Sequence, residues 1–391
     1  FNLKEEELII PEHFKIMGAI GAALYGLEGK ASSPYKGSEI LRAYLKERVY
    51  NPPRHPVLFP FESLSLSEKI KKDIETRVQR KTLNPQDELE VYLGVDVGSV
   101  STKLVAIDNE GNLVAKVYLF HHGKPLESVK KGLLELRKKL PERVKVKGVG
   151  TTGSGRYLVG DFIGADVIRN EITAQAYGAL YLDPEVDTIF EIGGQDSKYI
   201  FLEDGTISDF TMNKACAAGT GSFLQEQGVK LGIPIEEFGD IALKSKAPLK
   251  MGERCTVFMQ SDLLHYQQQG LPKEDLIAGL CYSIVYNYLN KVVEGRKIGK
   301  KIFFQGAVAF NKGVVAAFEK VLGKPIIVPP NNEVTGAIGV ALLAKEETKG
   351  ESRFKGFDLA KVKYFISTFE CRHCPNQCEI HKVTVEDSQP Y

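Results

Sequence analysis

A chain of 391 residues is long enough for two or three domains with a large core. Its 43% hydrophobic and 26% charged residues are those of an ordinary globular protein, which excludes a disordered or fibrous chain. A net charge of +1 offers no electrostatic case for nucleic acid or an anionic membrane. No apolar run reaches the roughly 18 residues of a spanning helix, and no signal peptide is recognisable. Six cysteines are too few for a disulfide scaffold and read as thiols or metal ligands of a cytoplasmic protein.

The two ends of the chain say the same thing. Residues 8–24 read LIIPEHFKIMGAIGAAL and residues 326–342 read IIVPPNNEVTGAIGVAL. At one constant offset Ile9 matches Ile327, Pro11 matches Pro329, and Gly18-Ala-Ile-Gly21 matches Gly336-Ala-Ile-Gly339. This is the mark of a tandem duplication. Residues 1–30 are then expected to be the last strand and helix of a preceding copy. The chain also opens on Phe1 without a methionine, which reads as a piece of something longer. Residues 31–90 are a connector broken by Ser-Ser-Pro, Asn51-Pro-Pro and His55-Pro, with helical spacing over Leu41–Val49 and Leu66–Val78.

The main domain is expected over 91–345, in lobes of roughly 91–190 and 191–345. Residues 91–108, VYLGVDVGSVSTKLVAID, predict strand, tight turn, strand. Gly98, Ser99, Ser101 and Thr102 offer small residues, amides and hydroxyls to an anion, and Lys103 adds a positive charge. Asp96 suits a magnesium ion or its waters rather than a phosphate. The pattern returns in residues 187–202, DTIFEIGGQDSKYIFL, where Glu191 precedes Gly193, Gly194, Gln195 and Asp196 between two apolar strands. Two acid–glycine hairpins suggest related halves facing one nucleotide, with Asp96, Glu191 and Asp196 as its catalytic carboxylates. A third turn, Gly306-Ala307 with Asn311 beyond it, is small enough for a flat base to approach the backbone.

Between these turns lies Asn213-Lys-Ala-Cys216-Ala-Ala-Gly219-Thr220-Gly221, ahead of a helix over Phe223–Leu231. Cys255 holds a like position ahead of a helix over Ser261–Gln268. Helices are also expected over Glu127–Lys139, Glu171–Tyr181 and Ile277–Val293, the last with Cys281 in the core. The loop Gly150–Arg156 reads equally as a cleft wall or a plain turn, and His121 and His122 as a solvated strand end. In the tail, Cys371, Cys374 and Cys378 form Cys-x2-Cys-x3-Cys. This is metal-ligand spacing for zinc or iron–sulfur, with His373, His381 or a more distant cysteine as fourth ligand. The alternative is three free thiols in the C-terminal extension, 346–391.

The three turns in this order resemble the actin/hexokinase/Hsp70 (ribonuclease H-like) α/β ATPases, with two lobes around a nucleotide cleft. With the two cysteine segments added, residues 91–345 resemble the ATP-dependent activators of 2-hydroxyacyl-CoA dehydratases and the related benzoyl-CoA reductase ATPase subunits, the BadF/BadG/BcrA/BcrD type. The resemblance implies ATP/ADP and Mg2+ in the cleft, with Gly219, Thr220 and Gly221 joining the turns around the cofactor. It also implies a [4Fe–4S] cluster on Cys216 and Cys255 shared across a homodimer, or across a pseudo-dimer with a preceding copy. The partners it implies are a dehydratase or reductase and a ferredoxin or flavodoxin donor, in anaerobic metabolism. Four thiolates from a chain offering two do require a second copy. Two positions depart from the family pattern: Glu191 stands where Asp is usual, and Gly306-Ala307 where Gly-Gly is usual. The competing readings are a small-molecule kinase of the same superfamily, which needs neither cysteine, and a non-catalytic nucleotide-binding assembly domain.

Overall fold

The computed structural model describes residues 11–29, 38–39, 42–43, 51–59, 61–77, 88–214, 219–376 and 378–385. Residues 1–52 and 53–391 are two separate units. In the first, helix α1 (Met17–Leu27) starts at the residue that matches the start of the later helix Thr335–Glu347. The residues just before them, Ile16 and Val334, adopt nearly the same backbone (φ −122°, ψ 13° and φ −122°, ψ 14°). The repeated sequence therefore folds into the same local structure. Its surroundings differ: α1 has no buried residue, whereas Thr335 to Ala344 are buried throughout. The helix expected over Leu41–Val49 lies almost wholly outside the described residues.

The second unit is built on two five-stranded sheets with one topology. In the first, β1 (Glu88–Val97), β2 (Ser101–Ile107) and β3 (Leu113–Phe120) form an antiparallel meander. On the other side of β1, β4 (Arg143–Thr152) and then β5 (Val167–Ile168) run parallel to it. The second sheet repeats this, with β6 (Thr188–Ile192), β7 (Ser197–Glu203) and β8 (Thr206–Met212) as meander and β9 (Ile302–Gln305) and β10 (Ile326–Ile327) as parallel strands. The C-terminal half of β1, Leu93 to Val97, and all of β6 are buried on both faces, as continuous apolar strands must be when helices cover both sides.

Helix α2 (Phe61–Arg77) of the connector lies on the second sheet, where Ser63 bonds Glu319 and Val328 N–H donates to Ser67 Oγ at 2.8 Å. Helices α3 (Pro125–Lys138) and α4 (Arg156–Ile163) cover the outer face of the first sheet. Helix α5 (Glu171–Leu182) closes the inner face of the second, through Ile172, Ala176 and Ala179. The outer face of that sheet packs on α6 (Gly221–Leu231), α7 (Ile235–Ala242), α8 (Thr256–Gln268), α9 (Lys273–Tyr288) and α10 (Lys312–Leu322). The last long helix, α11 (Thr335–Glu347), then crosses back onto the first sheet through Ala337, Ile338, Ala341 and Leu342. It is also packed on α5. This needs bare backbone at the crossing: a Cβ on Gly94 of β1 would overlap the Ala337 carbonyl, and one on Gly339 would overlap that of Ala174. The first lobe is thus assembled from both ends of the 91–345 segment. Helices α5 and α11, back to back, form the floor between the sheets.

The tail ends in a two-stranded hairpin, β11 (Tyr364–Glu370) and β12 (Glu379–Val385). Its tip carries Cys371, Cys374 and Cys378, closed by a Cys371 N–H to Cys378 carbonyl bond of 2.7 Å. The tip is closed by backbone pairing, and among the described residues no three His, Cys, Asp or Glu side chains are gathered to hold an ion.

Candidate nucleotide site and the cysteine segments

The β1–β2 and β6–β7 turns are built alike. Gly98 N–H donates to the Ser101 carbonyl at 3.0 Å, and Gly193 N–H donates to the Asp196 carbonyl at 2.8 Å. Asp96 and Lys103 are cross-strand partners, as are Glu191 and Lys198. Cross-strand pairing brings each carboxylate onto its lysine, at 3.0 Å for Asp96–Lys103 and 2.8 Å for Glu191–Lys198. Lys198 also reaches Glu171 at the start of α5, at 2.8 Å.

The two turns meet tip to tip. Ser99 Oγ donates to Asp196 Oδ2 at 3.3 Å, and Val100 lies against Gly194. Beneath them is a small cleft lined by both turns, by Thr152 at the end of β4, by Glu171 and Gln175 of α5, and by Gly336 of α11. Among the sequence candidates it gathers Asp96, Gly98, Ser99, Ser101, Lys103, Glu191, Gly193, Gly194 and Asp196. Thr102 is buried just behind them, and Gln195 lies in the second turn, where its carbonyl accepts from Asn213. Burial raises the Glu191 carboxyl above its ordinary range, and the Lys198 and Lys103 charges only partly offset this. Burial alone would depress the Lys198 ammonium, but Glu191 and Glu171 more than reverse it and the lysine stays charged.

The floor of the cleft was largely missed in the sequence. Lys198, Glu171, Gln175, Thr152 and Gly336 all line it. For Lys198 a signal existed: Asp96, Gly98 and Lys103 recur as Glu191, Gly193 and Lys198 at one constant spacing. The loop after β4 does back the cleft, since Gly153 leaves no space for a Cβ beside Asp96 and Val97. His121 corrects the expectation of a solvated strand end. It is buried, accepts from Gly123 N–H at Nδ1 (3.1 Å), and so carries its proton on Nε2, which donates to the Gly98 carbonyl at 2.9 Å. It props the first turn from behind because β3 ends one strand away from it.

Gly306 sits at φ 86° and packs on the Ile192 carbonyl, so its lack of a Cβ is needed for the backbone and for β6 before any ligand is considered. Ala307 opens the short helical turn after it. Asn311 caps α10, accepting from Val314 N–H at 3.1 Å. Neither Ala307 nor Asn311 lines the cleft.

The cysteine segments are tied to the second turn. Asn213 bonds Ser197 and Gln195 through its side chain (2.8 and 3.1 Å). On the far side, Gly221 N–H and Ser222 N–H donate to the carbonyls of Gly193 and Gly194 (2.9 and 2.8 Å). Cys216 lies outside the described residues; the segment on either side of it is anchored to one turn. Cys255 is half-buried and is the N-terminal cap residue of α8. Asn287 of α9, 1% exposed, donates to the Glu253 carbonyl at 3.0 Å and packs its oxygen against Gly219. It thus braces both segments. Cys281 is a core thiol, its pKa pushed up to about 12 by burial.

Two like sheets, paired acid–glycine hairpins and a cleft floored by two crossed helices define an actin/hexokinase/Hsp70-like ATPase fold. The chain belongs to the BadF/BadG/BcrA/BcrD ATPase family, whose model matches residues 93–344. An uncharacterized protein of Methanocaldococcus jannaschii is 34% identical over 278 residues, which cover 69% of this chain and 66% of that protein. The 2-hydroxyisocaproyl-CoA dehydratase activator of Clostridioides difficile is 32% identical over 259 residues, 66% of this chain and 96% of the activator. The crystal structure of (R)-2-hydroxyglutaryl-CoA dehydratase component A from Acidaminococcus fermentans superposes with a TM-score of 0.61 at 32% identity. It covers 66% of this chain and 98% of its own.

Proposed function

We propose that this chain is an ATP-dependent activator that delivers low-potential electrons to a 2-hydroxyacyl-CoA dehydratase or a related reductase. ATP with Mg2+ occupies the cleft between the two turns, with Lys103 toward the phosphates and Asp96 toward the metal waters. The observation that carries the coupling is the anchoring of the Cys216 segment. Asn213 on one side and Gly221 and Ser222 on the other hold the turn of Gly193 and Gly194. A turn that shifts with the nucleotide moves the cysteine segment with it, and a few kcal/mol of preference suffices to drive such a change.

The donor chemistry supports a cluster at Cys216 and Cys255. Cys255 is half-buried at a helix N-terminus, a position that suits an anionic group. Two thiolates per chain call for two chains, or two copies, around one [4Fe–4S] group. Bound there, the cluster supplies a one-electron couple. The chain's own part is to hold it and to tie its position to the nucleotide. The exposed Val257 and Phe258 on α8, directly after Cys255, suit a face that meets a second copy or the dehydratase.

The test is iron and labile sulfide per chain in anaerobically prepared protein, for wild type and Cys216→Ser. About two irons per chain, lost in the variant, support one four-iron cluster shared by two copies. About four irons that survive the substitution place the metal at the tail cysteines instead. No iron, together with ATP-dependent phosphorylation of a small hydroxylated substrate, gives the chain to the kinase reading.

A further inference from the structure

The cleft holds an acceptor that no sequence motif pointed to. Gln175 is 8% exposed on α5, one turn beyond Glu171, and lines the cleft between the two hairpin turns. Its Oε1 is buried without a hydrogen-bond partner. A buried amide oxygen left unpaired costs about 1–3 kcal/mol, so it persists where something else fills the need. Gly336 of α11 lies against the other side of the same amide, close enough that a Cβ there would press on Nε2 and Cδ, and Asp96 Oδ2 adjoins the same point. The amide is therefore backed by α11, beside the first turn.

The carboxylates of the cleft are engaged. Asp96 pairs with Lys103, Glu191 and Glu171 share Lys198, and Asp196 accepts from Ser99. Thr152 Oγ1 is another buried, orphaned polar atom lining the cleft, and a hydroxyl beside a phosphate is suited to donate.

From this we infer that Gln175 orients the water that attacks the γ-phosphate of ATP, an inference that rests on the ATPase reading above. Oε1 accepts a hydrogen bond from one O–H of the water and so aims the water oxygen at phosphorus. The water oxygen bonds to the γ-phosphorus, the bond from phosphorus to the bridging oxygen breaks, ADP leaves, and the water proton passes to the released phosphate or to solvent. The amide stays neutral, so it positions the water without taking its proton, a role that amides fill in other nucleotide hydrolases.

The experiment compares the 391-residue chain with its Gln175→Leu and Gln175→Glu variants, measuring Mg2+-dependent phosphate release, affinity for a non-hydrolysable ATP analogue, and thermal unfolding. Gln175→Leu removes an unpaired oxygen, so the fold is expected to melt at the same temperature or higher while kcat falls about 100-fold and KM and analogue affinity stay within about threefold. Gln175→Glu keeps an acceptor of the same length and is expected to retain more activity than Leu, with an acid limb added to its pH profile. A Gln175→Leu protein that binds the analogue and hydrolyses ATP within threefold of wild type overturns the inference. So does a wild type that binds ATP without hydrolysing it. A wild type that binds no nucleotide defeats the ATPase reading itself.

Discussion

The two hairpins share register, turn hydrogen bond and lysine, yet they differ in how firmly the lysine is held. Lys103 has one carboxylate, Asp96, and its side chain is 17% exposed toward the cleft. Lys198 has two, Glu191 and Glu171, and is 4% exposed. The difference arises from α5, which begins beside the second hairpin and contributes Glu171. The same turn has thus become a movable charge in one lobe and a fixed three-member lattice in the other. A lysine with a single partner can leave it for a phosphate; a lysine shared by the buried Glu191 and the half-buried Glu171 holds β6, β7 and α5 together.

The largest effect should come from breaking the fixed member. Lys198→Met leaves Glu191 and Glu171 facing each other without a counter-charge, a change that costs about 3–5 kcal/mol. Lys103→Met should cost about 1 kcal/mol of stability but weaken ATP affinity at least tenfold. Urea unfolding and nucleotide titration of both variants check the pair. Without Lys198, the Glu191 pKa rises further above its unfolded value. Stability that comes with its protonation is present at low pH and lost as pH rises from about 4.5 upward, so the Lys198→Met deficit should be smaller at pH 5 than at pH 8. A deficit that does not change with pH would show that Glu191 is not the group left uncompensated.

The comparison also shows what could be read before the fold was known. Strand–turn–strand units were legible because apolar runs flank Gly-rich turns that few other structures accept, and the helices after both cysteines fell where expected, α8 starting at Thr256 rather than Ser261. The partners of those units were not legible. Nothing in the sequence of α11 says that it returns to the first sheet, since a helix apolar all round carries no address. Gln175 was invisible because a glutamine in a helix ordinarily faces water. His121 was misjudged for the same reason: a polar residue at a strand end looks solvated until a neighbouring turn closes over it. Lys198 was the avoidable omission, because the spacing that makes Lys103 notable recurs in the second hairpin.

A histidine outside both hairpins gives an intermediate effect and calibrates the pH argument with the opposite sign. His55 stacks on Tyr282 with ring centroids 4.3 Å apart, and burial with the nearby Lys250 charge lowers its pKa to about 4. The unfolded chain then binds the proton more readily. Stability is present above pH 6.5 and is lost as pH falls toward 4, by about 1–2 kcal/mol after allowance for partial exposure. His55→Phe should flatten that segment of the stability curve, and an unchanged slope would remove His55 as its source.

Glu191→Asp sharpens the comparison by making the second turn match the first. The shorter carboxylate withdraws by a methylene from Lys198, with a stability loss of about 1 kcal/mol, and leaves more room for magnesium waters. Phosphate release at saturating Mg2+ should rise a few-fold; a fall would show that the longer side chain is itself needed in the cleft.

The smallest expected effect lies where the two turns touch. The Ser99–Asp196 bond joins them across the cleft, but at 3.3 Å between exposed groups it is worth no more than about 0.5 kcal/mol. Ser99→Ala should leave the unfolding midpoint unchanged within error. Its trace should appear in exchange instead: 0.5 kcal/mol removed from the closed state alone corresponds to about a twofold faster release of ADP, with the association rate untouched. Stopped-flow displacement of a fluorescent ADP separates the two rates. Faster release with unaltered stability would identify the bond as a latch between lobes that are each stable without it. If stability and release change together, the turns are one structure, and the loose and fixed lysines differ in degree rather than in kind.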